Sequence, residues 1–366
     1  MAWHHLQYVL GFLLLGHEVT FIEDSGDFAS CYDPELRGMT TDPSYGLRFA
    51  TQAFDRLHLP QTWAYYDEHR DEWLGPGAST ARERCQTADI VMNVSGVNPI
   101  REWTSIPPIR VLIDTDPGFT QVRHLTDAGR LGDAARHSAF ASFGERIGED
   151  GCTIPNDGIA WIPTRQPITP DAWRVAEIPT AARFTTVMSW EAYPDLEFRG
   201  RRFGTKSSSF EPYIDLPQVA SVPLELAVGG ASAPRTRLRA AGWHVTDPAS
   251  VARDPWIYQR YIRGSAGEFT VAKEAYVTTA SGWFSERSAA YLASGRAVVT
   301  QDTAFSEILP TGLGLLAFST RDEALAGLED VASNPQRHGS AARELAREYF
   351  DSSRVLTHLL DRVARS

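Results

Sequence analysis

Short apolar runs alternate along this chain with stretches whose apolar residues recur every three to four positions. That alternation is the βα pattern of parallel sheets covered by helices on both faces. In the first half it predicts strands at 19–22, 89–93, 110–113 and 138–143, and helices at 3–15, 45–57 and 79–87. Residues 24–44 and 60–78, rich in Gly, Pro, Asp and aromatics, read as loops over the sheet edge. Prolines at 163, 167, 170 and 179 then break the periodicity and mark a linker. A second series follows, with strands predicted at 185–190, 224–228, 243–245, 269–272, 297–301 and 315–318. Its helices fall at 235–241, 256–262, 285–294, 321–332 and 336–350. The last helix, 352–363, carries Val355, Leu356, Leu359, Leu360 and Val363 on one stripe.

The expected architecture is therefore α/β, with two doubly wound Rossmann-like domains facing a cleft. They cover 1–178 and 179–350, and the terminal helix 351–366 packs back across the joint. In open sheets of this kind, ligands sit at the carboxyl ends of the strands. The apolar stretch 6–15 is about half the ~20 residues a membrane span needs, and it lacks the basic flank of a signal peptide. It reads as a buried first helix. No strand precedes it, and domains of this kind open on one, so a missing first strand or a mis-assigned start is the corresponding expectation.

Composition narrows the function. The chain has 366 residues, 43% of them hydrophobic, and a formal net charge of −11. That balance argues against a nucleic-acid partner. Cys31, Cys85 and Cys152 lie far apart with no CxxC pair, which excludes a disulfide scaffold and a thiolate zinc site and suits a cytoplasmic protein. There is no GxGxxG, P-loop, HExxH or serine elbow.

The segment 268–318 concentrates the candidate chemistry. The loop TTASGWF leads to Ser285, a good N-cap, with Glu286 in the first turn and Gly295 closing the helix. A helix opening at a strand-end crevice suits a diphosphate. Arg287 and Ser288 add a charged fork and a hydroxyl, Trp283 a face for stacking, and Lys273 and Lys206 further positive charge. The bland alternatives are a simple cap and solvated surface charges.

The stretch SGWFSERSAAYLASGRAVVTQDTAFSEILPTGLGLLAF, followed by STRDEALAGLEDV and AARELAREYFDSS, resembles the C-terminal half of GT-B-fold glycosyltransferases. It is closest to a bacterial branch similar to CgeB-type and group 1 enzymes. LQYVLGFLLLGHEVTFIED resembles their first helix, Gly-His-x-Val turn and second strand. The resemblance implies transfer of a sugar from a nucleotide-sugar donor to the hydroxyl of a glycan, lipid or small-molecule acceptor, with no metal and no other cofactor. It places Ser285, Glu286, Arg287 and Ser288 at the donor helix, Asp302 and Thr303 against the sugar, and Ser189, Trp190 and Lys206 near the diphosphate.

The chain departs from the family at the paired carboxylates of retaining members, whose positions fall on Gly282 and Ala290. The stereochemical course therefore stays open. Inverting relatives carry a general-base histidine near the start of the first helix, where His4 and His5 stand, although counting back from Gly16-His17 points nearer Met1. On the acceptor side, Asn93 and Ser95, and Asp114, Asp116 and Gln121, follow apolar runs. Either aspartate could serve as a base or orient a histidine, and the plain alternative is turn chemistry. A nucleotide-sugar epimerase and a degenerate, non-catalytic binder are the rival readings.

Overall fold

The structure, a computed structural model, describes residues 2–34, 36 and 38–365. The first helix, Ala2–Leu14, buries Trp3, Leu6 and Val9. The N-terminal lobe then holds β1 (Phe21–Asp24), β2 (Cys31–Asp33), β3 (Gly38–Thr40), β4 (Trp63–Asp67), β5 (Glu72–Leu74), β6 (Ile90–Val94), β7 (Ile109–Asp114), β8 (Ala139–Ser142) and β9 (Ile162–Pro163). The C-terminal lobe holds β10 (Phe184–Ser189), β11 (Leu196–Phe198), β12 (Arg201–Phe203), β13 (Leu224–Gly229), β14 (His244–Thr246), β15 (Gly267–Thr270), β16 (Ala297–Gln301) and β17 (Leu315–Phe318).

The C-terminal sheet is wholly parallel, in the order β14-β13-β10-β15-β16-β17. Winding starts at β10, runs outward to β14, and resumes at β15 on the other side of β10. The ends of β10 and β15 therefore form the switch point, where diverging loops leave a crevice. Leu226, Val228, Phe269, Val298 and Val299 are buried in it, because helices cover both faces.

The N-terminal lobe differs, because besides the small β2–β3 hairpin its strands form two separate sheets. One is β1-β4-β5, with β1 parallel to β4, and the other is the parallel run β6-β7-β8-β9. Phe21 and Ser25 donate their N–H groups toward β4, so Ile22 and Asp24 face the opposite edge. There the Asn98 side chain donates to the Ile22 carbonyl at 2.9 Å and accepts from the Asp24 N–H at 3.3 Å. Its backbone is held in turn by Asn93 of β6. One carboxamide thus performs on this edge what a neighbouring strand's backbone would.

The linker ties the lobes together. Ile168 N–H donates to Phe350 and Ser352 N–H to Ile168. The last helix, Ser352–Val363, returns to the N-terminal lobe and buries Leu356, Leu359 and Val363 beside Val111, Ile113 and Ala139. It crosses the first helix at Gly11, where a Cβ would lie 2.6 Å from Leu356 Cδ1.

Two expectations need correction. Residues 60–78 are not all loop: all five residues of β4 are buried. Trp63, Tyr65 and Tyr66 carry too much polar character to read as a core strand, yet here both faces are covered. The loop 24–44 likewise contains the β2–β3 hairpin. Among the described residues, no helix is long and apolar enough to cross a membrane.

Candidate functional site

Ser285 caps the helix Glu286–Ala293, its Oγ accepting the Arg287 N–H at 3.2 Å. Arg287 turns inward instead of toward the crevice mouth. Its guanidinium donates to Glu268, to the Val187 carbonyl at 2.8 Å and to Thr270 Oγ1 at 2.8 Å. It is a buried anchor beneath the switch point, and the second oxygen of the fully buried Glu268 carries no hydrogen bond. The Ser288 hydroxyl is buried and without a hydrogen bond.

Lys206 opens the short helix Lys206–Phe210 and has no hydrogen-bond or ion-pair partner among the described residues. Burial, reinforced by the charges of Arg287 and Lys273, pushes its ammonium well below the ordinary lysine range, and Glu268 and Glu286 offset this only in part. An amine with no hydrogen-bonded or ion-paired partner is a place where an anion gains most. Ser189, at the end of β10, is exposed, while Trp190 beside it is buried against Phe210.

Across the crevice stands His4. The residues His4 and Gln7 of the first helix, Gln166 of the linker, and Tyr258, Glu286 and Ala290 of the C-terminal lobe line one recess. The His4 Nδ1 bonds the Gln166 side-chain oxygen, and Gln166 donates its amide to the His4 and Pro167 carbonyls. Since that oxygen only accepts, Nδ1 carries the proton and Nε2 is left as the basic nitrogen, an assignment made from the bonding. Burial lowers the His4 pKa, against the pull of Glu286. Burial by itself would raise the Glu286 carboxyl, but His4, Arg287 and Lys206 hold it below its ordinary value. Glu286 lies four residues before Ala290, so both project from one helix face. His5 instead packs toward Phe21, with ring centroids 6.1 Å apart. Met1 lies outside the described residues.

The acceptor-side candidates are committed to the loops that carry them. Asp114 accepts from the Asp116 N–H, Thr120, Gln121 and Ser142 at 2.9, 2.6, 3.1 and 2.7 Å. With four donors on two oxygens it is a scaffold for the loop and has no free site for an acceptor proton. Gln121 also accepts the Gly118 N–H at 2.6 Å. Asn93 is spent on Asn98 and His137, and Ser95 Oγ bonds Thr115 Oγ1 at 2.8 Å. Strand-end Asn, Asp and Ser satisfying nearby backbone is the turn reading.

Asp116 crosses to the other lobe. It accepts from Lys273 Nζ at 2.7 Å and from the hydroxyls of Tyr193 and Tyr276. Asp114 and Asp116 thus aim at different partners, one within its own loop and one across the seam. The described residues contain no group of three or more potential metal ligands from His, Cys, Asp and Glu. Trp283 does not offer an open face: its indole donates to the Thr115 carbonyl at 3.3 Å and its ring lies 4.5 Å from Tyr276. Gly282, at φ +72°, is pressed against Arg146, 2.8 Å from a built Cβ to Arg146 Cγ. Thr303 braces this loop through the Trp283 carbonyl at 2.6 Å, and Asp302 caps the turn at Ser306. Trp283 and Gly282 thus lie on the seam between the lobes, and Thr303 and Asp302 support them from within the C-terminal lobe. Gln7, Gln166, Tyr258, Tyr193, Tyr276 and Glu268 escaped the sequence reading. Only Gln7, a lone amide in an apolar helix, left a signal.

No protein-family model and no curated protein matches the sequence. Solved structures do resemble it. AviGT4, a glycosyltransferase involved in avilamycin A biosynthesis, aligns over 99% of this chain and 88% of its own, at 16% identity and a TM-score of 0.53. An α-glucosyltransferase in complex with UDP and a 13-mer DNA aligns over 99% and 95%, at 11% identity and 0.59. Anabaena HepE in complex with UDP-glucose aligns over 95% and 99%, at 12% identity and 0.53. The chain has the GT-B fold of these proteins.

Proposed function

We propose that the chain is a glycosyltransferase, moving a sugar from a nucleotide-sugar donor to an acceptor hydroxyl. The observation that carries the reading is the unpartnered Lys206 amine at the switch point of the C-terminal sheet. A diphosphate supplies the anion this position lacks. Ser189 and the N–H groups at the Ser285 cap complete its cradle, and Arg287 supports it from below. Glu286 faces the donor sugar. His4 Nε2 takes the acceptor's proton as the acceptor oxygen bonds to the anomeric carbon, and the carbon–oxygen bond to phosphate breaks, releasing the nucleoside diphosphate. Water exclusion between the lobes favours transfer over hydrolysis.

Two of the similar structures hold UDP or UDP-glucose, so uridine nucleotides are the first probes. The net charge of −11 favours a glycan, lipid or small-molecule acceptor over nucleic acid. The free thiols fit a reducing cytoplasm. Titration calorimetry with UDP tests the site: wild type binds, and Lys206→Met loses at least about tenfold in affinity. Equal binding by both proteins, or none by wild type, overturns the reading. A non-catalytic binder is the second reading, favoured by Gly282 and Ala290 in place of carboxylates. It predicts UDP-sugar binding without UDP release in the presence of any acceptor.

A further inference from the structure

Lys273 leaves the C-terminal lobe just after β15 and reaches across the seam. Its ammonium lies 2.7 Å from Asp116 Oδ1. It also stands over three ring faces: Phe119 at 5.0 Å, Tyr193 at 4.5 Å and Tyr276 at 5.2 Å from their centroids. Asp116 and Phe119 belong to the N-terminal lobe, and the two tyrosines to the C-terminal lobe. The box is therefore made by both lobes and closed by one lysine. Arg123 adds a second cation, 3.5 Å from Asp116 Oδ2 and 4.6 Å from the Tyr193 ring. Lys273 and Asp116 keep side-chain exposures of 17% and 20%, so solvent and small anions reach the pair.

The same lysine belongs to the neighbourhood of the anion site. Ala275 N–H donates to the Gly204 carbonyl at 3.1 Å, and Glu274 N–H to the Thr205 carbonyl at 3.4 Å, which sets Lys273 beside the chain that carries Lys206. Of two neighbouring lysines, Lys206 has no anion, and Lys273 is held by a carboxylate from the opposite lobe. Around them the seam carries further direct bonds, among them Arg201 to Thr153 Oγ1 at 2.7 Å and Arg146 to Glu307 at 2.9 Å. Thr153 N–H donates to Thr279 at 2.9 Å, Arg146 N–H to Ser281 at 3.2 Å, and the Trp283 indole to Thr115.

We propose that the Asp116–Lys273 contact is an autoinhibitory latch, in which the protein's own carboxylate holds the lobes together through a cation that a phosphate group in the donor site competes for. When phosphate takes Lys273, Asp116 keeps only the longer Arg123 contact and two tyrosine hydroxyls, the aromatic box empties, and the hold of the loop 115–119 on Tyr193 and Tyr276 weakens. Binding and seam opening are then linked, and weakening the latch tightens binding by the same factor that it loosens the seam. This inference rests on the sugar-transfer reading.

The test uses the full chain, with UDP and inorganic pyrophosphate as probes. Asp116→Asn keeps the shape and removes the charge. Lys273→Met keeps the stem and removes the cation. Hydrogen exchange without ligand reads the seam, and calorimetry reads affinity. The latch requires faster exchange at 146–153 and 279–283 in both variants, with the β13 and β16 amides unchanged. It also requires UDP binding tightened about tenfold in Asp116→Asn, within the usual range of such couplings, and weakened in Lys273→Met. Tyr193→Phe, which removes one hydrogen bond to Asp116, shifts both readouts in the direction of Asp116→Asn and serves if that variant folds poorly. Unchanged seam exchange in Asp116→Asn overturns the latch without reference to any ligand. Seam opening with unchanged affinity overturns it as well, leaving Lys273 a fixed strut. A wild type that binds neither probe sinks the sugar-transfer reading and the latch's control of it. A wild type that binds while Asp116→Asn gains nothing sinks the latch alone.

Discussion

Arg287 is locked to Glu268 beneath the crevice, with both side chains buried and the arginine also bonded to Val187 and Thr270. The arginine that by position looks like a phosphate ligand is thus the stabilising partner of a buried carboxylate. Arg287→Ala leaves the buried Glu268 carboxyl without its ion-pair partner and costs about 3–5 kcal/mol of stability. Urea unfolding measures it. Replacing both partners, Arg287→Met with Glu268→Gln, recovers most of that loss. A stable Arg287→Ala protein with impaired UDP binding would contradict this assignment.

Lys206 shows the opposite balance. Its half-buried amine has no partner among the described residues, so Lys206→Met removes a desolvation penalty and raises the melting temperature while it weakens UDP binding. Function and stability should move in opposite directions at this residue. A variant that loses both points to a structural lysine.

The first helix makes stability depend on acid. Burial and the neighbouring His4 push the His5 pKa down to about 3, and burial lowers His4 as well. The unfolded chain takes up protons on these rings below about 6.5, and the folded one resists. Stability is therefore complete above about 6.5 and falls as the pH drops toward 3, by up to about 1.4 kcal/mol per pH unit for His5, with His4 acting in the same direction. His5→Leu flattens the decline between about 6.5 and 4.5, a window above most carboxylate titration. Denaturation curves across that range decide it, and an equal slope in both proteins refutes it.

Gly11 is the point where the first and last helices touch, with a built Cβ 2.8 Å from Ser352 Cβ. Gly11→Val overpacks the crossing and costs about 1–3 kcal/mol. Hydrogen exchange should then rise in 352–363 and in β8, while the C-terminal sheet stays protected.

If His4 Nε2 is the base, Gln166 is its positioning residue. Gln166→Leu frees the ring to adopt either tautomer and lowers kcat, by about 10²–10⁴-fold if all general-base assistance is lost. The KM for donor is nearly unchanged, because Lys206 and Ser189 are untouched. A variant with normal kcat removes His4 from the proton's path.

Local pattern was enough for much of the architecture. The β10, β13, β15, β16 and β17 strands, the Ser285 cap and the stripe on the last helix were all legible, because each depends on which face of a short segment is buried. The β4 strand was not, since WAYYD mixes aromatic and polar character and both of its faces are covered only once the lobe has assembled. Partner choice was decided entirely by the tertiary structure. Asp116 finds Lys273 over 157 positions, and His4 finds Gln166 over 162. Periodicity carries the direction in which a side chain points from its own element. It carries nothing about the oppositely charged or complementary group that the packing of another element brings to meet it.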